Sequence, residues 1–512
     1  MHGAEHLSGP LARSRRLVLP ELLARGRRAH GDRPALVFAG TTRTHDELHD
    51  RAARLASVLA SDGIRAGDRV ALLLHNGFEF AESLLACHRI GACAVPINFR
   101  LVADEIAYIL EDSGAVALIA GGRPDDLVRR RLELTVGPEY EAAIAASEPA
   151  KQTDVHEHDP AVLCYTSGTT GRPKGAVLSH ANLVAATLSW IHEMRAGADD
   201  VWLSGQPLFH IGGLNGMLPF LALGATSILM PTTGFDPDAA IGLIQRHAVT
   251  MCIFVPTQWD DVCRSPAVAG MDRQRLRVAM WGASPATLST LELMARTFPG
   301  ADIVSAYGQT EMSGATTLLK GPDATRKMGS VGRPMVNVEL RVVDDQLADV
   351  DPGVVGEIVY RGPMVMQGYL GLAEATAEAF AGGWFHSGDL ATRDEEGYLR
   401  LVDRKKDMIV SGGENVYPAE VERVLRDHPA VADVAVIGVP HPRWVESPVA
   451  FVVAAAGQPA PTRADLDAHC RERLAGYKKP SAVYFVDQLP RNAAGKVAKR
   501  ELRVPTAPRS RT

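Results

Sequence analysis

The sequence predicts an α/β protein with a large N-terminal domain and a small α+β C-terminal domain. The N-terminal domain is expected to contain parallel sheets flanked by helices and a small β-barrel-like part. Helical patterns alternate with short apolar runs from about residue 19 to residue 306, which is typical of parallel sheets covered by helices. From Val338 to Tyr360 the apolar period shortens to two, which predicts antiparallel hairpins. After a charged run at 401–407 the chain restarts as a smaller unit.

The first half of the N-terminal domain shows this alternation most clearly. Apolar residues at helical spacing predict a helix over 48–61, and an apolar run predicts a buried strand over 69–74. A second helix is predicted over 79–89 and a second strand over 92–96. The proline- and histidine-containing stretch 148–160 indicates a connector.

The second half of the N-terminal domain repeats the pattern, and the C-terminal part adds helices and strands of its own. The predicted strands of this half are 227–230, 251–255, 278–281 and 303–306. The predicted C-terminal elements are helices over 418–428 and 463–474 and strands over 434–439 and 449–454. On charge alone, the run at 401–407 indicates a solvated turn between two folded parts.

The composition of the 512 residues narrows the class of protein. Apolar residues make up 46% and charged residues 22%, which is ordinary for a globular protein. A net charge of −6 without a basic tract argues against nucleic acid and anionic membranes as partners. Six scattered cysteines without a C-x-x-C pair suit the cytoplasm and argue against disulfides or zinc. The uncharged segment 211–235 contains glycines and prolines, which favour a buried helix and strand over stable membrane insertion.

A loop rich in hydroxyl groups and glycine runs from Thr166 to Lys174, directly after the apolar run 161–165. The run predicts a short buried strand. Glycines let a backbone approach phosphate oxygens, hydroxyl groups donate hydrogen bonds, and Lys174 supplies positive charge. The spacing differs from that of the common P-loop. Taken alone, the loop indicates either a phosphate site or a surface turn.

Two later segments join this loop in a recognisable order: 307–311, with the sequence Tyr-Gly-Gln-Thr-Glu, and 492–496, with Asn-Ala-Ala-Gly-Lys. Together the three resemble the adenylate-forming superfamily of acyl-CoA synthetases, adenylation domains and beetle luciferases, and most of all its fatty-acid-type acyl-CoA synthetases. The resemblance extends from about Leu19 to Arg503.

The resemblance implies a division of the chain and of its chemistry. It implies an ATP- and acid-binding domain at 1–403 and a mobile domain at 404–512, with Lys406 at the hinge. The second domain would carry a catalytic lysine and a loop that lines the tunnel for pantetheine. It also implies ATP, Mg²⁺ and coenzyme A as cofactors.

Activation of an acid by ATP brings two negative groups together, so the site needs cations around the phosphates. The resemblance implies that Lys496 bridges the acid and the α-phosphate and that Glu311 is the metal ligand. The resemblance also implies that Thr166 and His210 are catalytic residues, with His210 beside the acyl carbonyl. Taken alone, Lys496 would be a solvated surface group and His210 a structural histidine. The residues implied to contact ATP or AMP are Thr166, Ser167, Gly168, Thr169, Thr170, Gly171, Lys174, Gly282, Ala283, Tyr307, Gly308, Gln309, Thr310, Asp389 and Arg404. Among them, the resemblance implies that Tyr307 lies along the adenine, that Asp389 binds the ribose hydroxyls and that Arg404 reaches the ribose or a phosphate.

The resemblance also implies sites for the thiol and the acid. Gly412, Gly413 and Trp444 would contact coenzyme A. Small side chains on several walls predict a roomy apolar acyl pocket, and no arginine occurs in 209–235, which disfavours a dicarboxylate such as malonate. The implied pocket residues are His210, Ile211, Gly212, Gly213, Asn215 and Gly314.

The sequence therefore predicts an AMP-forming acyl-CoA synthetase. It would convert an apolar carboxylic acid to acyl-AMP with release of pyrophosphate, and then to the CoA thioester. Fatty acids are the first expectation, and aromatic or polycyclic acids are alternatives. The main alternative function is loading of the acid onto the phosphopantetheine arm of an acyl carrier protein. A catalytically silent sensor of acyl groups or nucleotides is disfavoured because a sensor need not retain Lys496. The motifs do not exclude luciferase-like oxidation. The oligomeric state also stays open.

Overall fold

The computed structural model describes residues 16–122, 130–166, 172–282, 286–411, 414–492 and 495–504. They form two compact units. The first unit comprises the chain up to Leu340 together with Tyr360–Phe385. The second comprises Arg341–Val359 together with the chain from His386 onward. The predicted boundary between residues 403 and 404, which separates an N-terminal domain from a mobile C-terminal domain, stays a prediction.

Helices and strands alternate along the first unit, as the sequence predicts. The described α-helices are α1 (Leu19–His30), α2 (His45–Ser61), α3 (Phe78–Arg89), α4 (Ala103–Asp112), α5 (Pro138–Ala146), α6 (His180–Met194), α7 (Ile211–Leu223), α8 (Pro237–Arg246), α9 (Pro256–Arg264), α10 (Leu288–Thr297), α11 (Asp323–Arg326), α12 (Ala373–Ala379), α13 (Pro418–Arg426) and α14 (Arg463–Arg471). The described strands are β1 (Pro34–Phe38), β2 (Thr41–Thr44), β3 (Arg69–Leu73), β4 (Cys93–Pro96), β5 (Ala117–Ala120), β6 (Leu132–Thr135), β7 (Pro160–Thr166), β8 (Lys174–Ser179), β9 (Val201–Ser204), β10 (Thr226–Leu229), β11 (Met251–Phe254), β12 (Val278–Gly282), β13 (Asp302–Gln309), β14 (Gly314–Leu319), β15 (Arg333–Pro334), β16 (Glu339–Val343), β17 (Gly356–Arg361), β18 (Gly368–Tyr369), β19 (Phe385–Arg393), β20 (Leu399–Arg404), β21 (Ile409–Ser411), β22 (Glu414–Val416), β23 (Val431–His441), β24 (Val445–Ala454) and β25 (Ala482–Phe485).

Two largely parallel sheets organise the first unit and confirm the predicted fold class. One has the strand order β15-β14-β13-β12-β11-β9-β10-β1-β2, and its strands from β13 to β1 pair in parallel. The other has the order β18-β8-β7-β4-β3-β5-β6, with parallel pairing from β7 to β6. The pairing is antiparallel at both edges of the first sheet, at β13–β14–β15 and β1–β2, and at one edge of the second, at β7–β8–β18. Thr166, Lys174 and Glu311 lie in or next to these antiparallel strands.

Local signals account for several element boundaries. The predicted helix 48–61 begins earlier, at His45, because Thr44 and Glu47 form a capping box. The Glu47 amide donates to the Thr44 hydroxyl at 3.1 Å, and the Thr44 amide donates to the Glu47 carboxylate at 2.8 Å. The uncharged segment 211–235 forms α7 and β10, as predicted. Within the described ranges, no helix is long and apolar enough to cross a membrane.

The second unit is built mainly from antiparallel strands. Residues 338–360, predicted as hairpins, contribute β16 and β17 to a four-stranded sheet with β19 and β20. A five-stranded sheet follows, in which β23 and β24 pair over most of their length and β25 pairs in parallel with β24. Helices α13 and α14 cover this sheet, and Val421, Leu425 and Leu466 are buried in its core. This is the predicted α+β organisation.

Buried histidines in the first unit predict a loss of stability in acid. Burial is the first cause that lowers the pKa of His49 and His88 to about 3 and of His180 to about 4. An unfolded histidine titrates near 6.5, so below that pH the unfolded chain binds more protons than the folded chain. We expect the free energy of unfolding to be highest above pH 6.5. It should fall as the pH drops towards 4, by at most about 1.4 kcal/mol per pH unit for each histidine.

Urea unfolding at pH 7 and pH 5 would measure this effect. His88→Gln keeps a nitrogen near the Ala161 carbonyl, which lies 3.1 Å from His88 Nε2, but removes the titrating ring. We expect a shallower pH dependence for His88→Gln and an unchanged one for the exposed control His156→Gln. Equal slopes in wild type and His88→Gln would contradict the assignment.

Candidate functional site

The hairpin of β7 and β8 carries the predicted phosphate loop. Thr166 ends β7 and Lys174 begins β8, and the two residues are direct cross-strand partners. Five residues of the predicted ATP-binding loop lie outside the described residues: Ser167, Gly168, Thr169, Thr170 and Gly171. The pairing therefore brings the first hydroxyl and the cation of the loop to the same end of the hairpin.

Glu311 lies at the end of β13, in the short helical turn Thr310–Met312, and only 9% of its surface is exposed. Its Oε1 atom accepts a hydrogen bond from the Thr166 hydroxyl at 3.1 Å. The Tyr369 hydroxyl donates to the same oxygen, also at 3.1 Å. The structure thus brings together Thr166 and Glu311, which are far apart in sequence.

Tyr369 was not among the sequence predictions. It forms β18 with Gly368, and β18 pairs with β8 so that Tyr369 lies opposite Ala176. The Lys174 ammonium is 5.1 Å from the centre of the Tyr369 ring. The contact between Tyr369 and Glu311 depends on the pairing of strands that are distant in sequence. Neither periodicity nor local composition therefore distinguishes this tyrosine.

The predicted adenine-side residues lie on the β13–β14 hairpin and the neighbouring β12. Tyr307 pairs with Thr317, and its carbonyl accepts from the Thr316 hydroxyl at 3.2 Å. Gly308 has a packing role, since an added Cβ would stand 1.9 Å from the Gly314 carbonyl oxygen. At Gly282 an added Cβ would meet the Ala306 carbonyl oxygen at 2.8 Å. Tight packing between the strands therefore requires glycine at both Gly282 and Gly308. The predicted contacts with the nucleotide are compatible with this packing role.

Two more residues complete this edge. The Gln309 side-chain nitrogen is buried, and it has no hydrogen-bond partner among the described residues. The Thr310 carbonyl accepts from the Ser313 amide at 2.9 Å. Ala283 lies outside the described residues.

The predicted acyl segment begins α7. His210 is the residue before the helix, and its carbonyl accepts from the Gly213 amide at 2.9 Å. Ile211 is buried, whereas an added Cβ would approach Gln206 at Gly212 and the Pro207 carbonyl at Gly213. These two glycines therefore let the helix start pack closely against the preceding loop.

Asn215 connects this helix to the β13–β14 turn. Its side-chain amide donates to the Ser313 carbonyl, and an added Cβ on Gly314, which has φ +115°, would stand 1.9 Å from the same nitrogen. The Asn215 side-chain oxygen is buried and unpaired within the described part of the chain. The predicted pocket residues Asn215 and Gly314 are therefore in direct contact.

Aromatic rings lie beside the same segment. The Phe99 and Phe209 rings meet edge to face at 5.4 Å, and the Phe209 and His210 rings are 4.4 Å apart. Phe99 also packs against His75 at 3.8 Å. Such a group can accommodate a flat ring by stacking or edge contacts.

In the second unit, Asp389 and Arg404 face each other across β19 and β20. Their carboxylate and guanidinium form an ion pair at 2.5 Å, and the Asp389 side chain is buried while that of Arg404 is 45% exposed. A carboxylate offers two acceptor oxygens, which suits the vicinal hydroxyls of a ribose. The predicted ribose contacts are thus adjacent.

Lys496 belongs to the same unit, in a tight turn closed by hydrogen bonds with Asn492. The residue is exposed to solvent, yet its ammonium has a pKa below the ordinary value. Reduced solvation by surrounding protein is the main cause, and repulsion by Arg404 is the second, while Asp389 acts in the opposite direction. The structure therefore places Lys496 within the electrostatic influence of both predicted ribose residues.

The predicted coenzyme A residues are only partly described. Gly412 and Gly413 lie outside the described residues, between β21 and β22. Trp444 is 41% exposed, its ring stacks on His441 at 6.4 Å, and the Arg443 guanidinium lies 4.4 Å from it. Lys406, the predicted hinge, lies in a short helical turn at Lys405–Asp407.

The donor set at Glu311 fits a magnesium ion that arrives with a nucleotide. Among the described residues, no group of three or more His, Cys, Asp or Glu side chains could hold a metal by itself. Mg²⁺ is commonly bound by one or two carboxylates together with substrate phosphates. A single oriented carboxylate in contact with Thr166, the first residue of the predicted phosphate loop, fits that requirement.

Comparison with known proteins gives two family matches. Residues 23–370 match the family described as AMP-binding enzyme, and residues 420–496 match the AMP-binding enzyme C-terminal domain. A feruloyl-CoA synthase from an Amycolatopsis species is 42% identical over 479 residues, which cover 92% of this chain and 95% of that protein. An indoleacetate–CoA ligase from Aromatoleum aromaticum is 38% identical over 490 residues, covering 92% and 94% of the two chains.

Solved structures agree with this match. The o-succinylbenzoate CoA synthetase of Bacillus subtilis in complex with its acyl-adenylate superposes with a TM-score of 0.85 at 32% identity. The match covers 95% of this chain and 98% of that one. The same enzyme in complex with ATP and a magnesium ion gives a TM-score of 0.83, also at 32% identity, and covers 94% and 98% of the two chains.

Proposed function

The chain belongs to the AMP-binding enzyme family and is an AMP-forming acyl-CoA synthetase, and we propose that its acid is apolar and carries an aromatic ring. The acid would be activated as acyl-AMP, and the acyl group would then pass to the thiol of coenzyme A. Pyrophosphate leaves in the first step.

The observation that supports adenylation at this site is that Thr166 and Tyr369 both donate to Glu311, while Lys174 lies over the Tyr369 ring at the end of the hairpin. Mg²⁺, when bound with ATP, neutralises phosphate charge. Lys174 adds a cation at the same end of the hairpin, and the two hydroxyl groups hold the Glu311 carboxylate in one orientation. This arrangement lowers the cost of bringing a second anion, the acid, to the nucleotide.

The second unit would supply the remaining contacts. We propose that Asp389 accepts hydrogen bonds from the ribose hydroxyls while Arg404 holds the Asp389 carboxylate in place. Lys496 would place its ammonium between the acid and the α-phosphate, where a compact flexible cation is needed. The exposed ring of Trp444 would then pack against the pantetheine arm in the second step.

Two observations favour an aromatic acid over a fatty acid. The Phe99, Phe209 and His210 rings form a contiguous group at the start of α7. The relatives named above act, by their names, on feruloyl and indoleacetate groups, which both contain aromatic rings. Fatty acids, the first expectation from sequence, become the competing substrate class.

A pyrophosphate-release assay over ferulate, indoleacetate and straight-chain fatty acids, with chromatography of the thioester, tests this proposal. We expect at least a tenfold higher kcat/KM for the aromatic acids, since about 1.4 kcal/mol of differential binding is sufficient. Phe99→Leu should reduce that preference without changing the KM for ATP. Higher kcat/KM for fatty acids would overturn the substrate class. Acid-dependent pyrophosphate without CoA thioester, but with transfer to a holo carrier protein, would favour the carrier-loading alternative.

A further inference from the structure

We propose that Tyr369 is a positioning residue with two separate tasks: its hydroxyl orients the Glu311 carboxylate for the metal, and its ring holds the Lys174 ammonium for the phosphates. This inference rests on the proposed function, because Glu311 and Lys174 act there on ATP. It adds a residue that the sequence motifs did not indicate.

The backbone of Tyr369 is fixed to the strand that begins with Lys174. The Leu370 amide donates to the Gly175 carbonyl at 2.8 Å, and the Gln367 amide donates to the Val177 carbonyl at 2.9 Å. The Tyr369 amide donates to the Thr376 hydroxyl at 3.0 Å, which ties it to the middle of α12. These hydrogen bonds hold the backbone of Tyr369 on both sides, so its side chain is the part that contacts Glu311 and Lys174.

The hydroxyl of Tyr369 acts on Glu311 together with Thr166. Both hydroxyl groups donate to Oε1, each at 3.1 Å. The Met366 amide also donates to the Glu311 carbonyl at 2.7 Å, so the segment before β18 holds the backbone of this residue as well. Hydrogen bonds to a carboxylate are stronger than neutral ones, and two on one oxygen fix the plane of the group. A metal ligand fixed in this way needs less reorganisation when the ion arrives.

The ring of Tyr369 acts on Lys174. The ammonium lies 5.1 Å from the ring centre, within the range of a cation–π interaction. This contact restricts a flexible lysine side chain at the end of the phosphate hairpin. Since the hydroxyl and the ring act on different partners, substitutions can separate the two tasks.

The test measures binding of ATP by calorimetry without acid or coenzyme A, so that no turnover occurs, at zero and at graded Mg²⁺. Tyr369→Phe keeps the ring and loses the hydroxyl. We expect a threefold to tenfold higher Mg²⁺ concentration for half-maximal binding, as for loss of an outer-shell contact, with metal-free ATP affinity within twofold of wild type. Thr166→Val, which removes the other donor to Oε1, should shift the Mg²⁺ dependence in the same direction.

Tyr369→Leu removes both tasks. We expect the Mg²⁺ shift of Tyr369→Phe and, in addition, a roughly threefold to tenfold weaker binding of metal-free ATP. Tyr477→Leu is the matched control, because Lys478 lies 5.8 Å over that ring outside the site, and it should bind ATP as wild type does. Thermal melts establish folding, and if Tyr369→Leu does not fold, Tyr369→Met replaces it.

Wild-type Mg²⁺ dependence in Tyr369→Phe would overturn the first task. Equal metal-free affinity in Tyr369→Phe and Tyr369→Leu would overturn the second. Failure of the proposed function is distinguishable, since in that case wild type would show higher kcat/KM for fatty acids than for aromatic acids, while the binding measurements without acid would still report on Tyr369.

Discussion

Lys496→Ala is expected to slow acyl-adenylate formation by ~10²–10⁴, the loss typical of one preorganised charged contact in a transition state. The acid and the α-phosphate are both anionic, so the ammonium matters most while the new bond forms. Although Lys496 is exposed to solvent, its pKa is lowered, first by nearby protein that reduces its solvation and then by Arg404. A charge beside the protein interacts more strongly with its partners than one in bulk water.

The second half reaction separates this role from a general loss of structure. Thioester formation from supplied acyl-adenylate should persist in Lys496→Ala, because that step does not require a bridge between acid and phosphate. Lys499→Ala removes a nearby lysine that is paired with Glu422 at 2.7 Å, and it should leave adenylation within a few-fold of wild type. Equal losses of both half reactions in Lys496→Ala would show that the lysine does not act as the bridge.

Glu82→Ala is expected to destabilise the first unit strongly. The Glu82 side chain is fully buried in α3 and accepts from the Arg51 guanidinium at 2.6 Å and from the Tyr140 hydroxyl at 2.8 Å. Removal of the carboxylate leaves the mostly buried Arg51 cation with only the half-exposed Glu141 as its carboxylate partner, and it leaves the buried Tyr140 hydroxyl without its acceptor. Breaking a buried pair in this way costs about 3–5 kcal/mol, which for a unit of this size corresponds to a fall in Tm of roughly 4–7 °C.

Glu141→Ala is the matched control, since Glu141 binds the same guanidinium at 2.7 Å but is 51% exposed. An exposed partner of this kind contributes at most about 1 kcal/mol, so the Tm of Glu141→Ala should fall by only about 1 °C. Differential scanning calorimetry compares the two variants directly. Similar losses in Glu82→Ala and Glu141→Ala would mean that burial does not decide the strength of this network.

Much of the fold was predictable because its signals are local. The helix–strand alternation, the buried segment that became α7 and β10, and the antiparallel character of 338–360 all follow from residue spacing over short windows. Element ends were less accurate. The strand predicted at 303–306 extends over β13 (Asp302–Gln309), because pairing with β12 and β14 extends it beyond its apolar run.

The site was predictable only in part. Thr166, Lys174 and Glu311 lie in motifs whose composition indicates phosphate chemistry, and the structure places them together in the first unit. The roles given to them, to Asp389, to Arg404 and to Lys496 stay predictions that the experiments above address. Ser167 to Gly171, Ala283, Gly412 and Gly413 lie outside the described residues.

The sequence by itself determined the α/β class, the order of the motifs and the family of reactions, because periodicity, turn residues and motif order are written in short stretches of chain. Only the tertiary structure decided that Tyr369 lies between Lys174 and Glu311, and that Glu82 is the buried centre of an ion-pair network. These contacts join segments far apart in the chain. They depend on strand register and side-chain direction, which are fixed only when the sheets and helices pack.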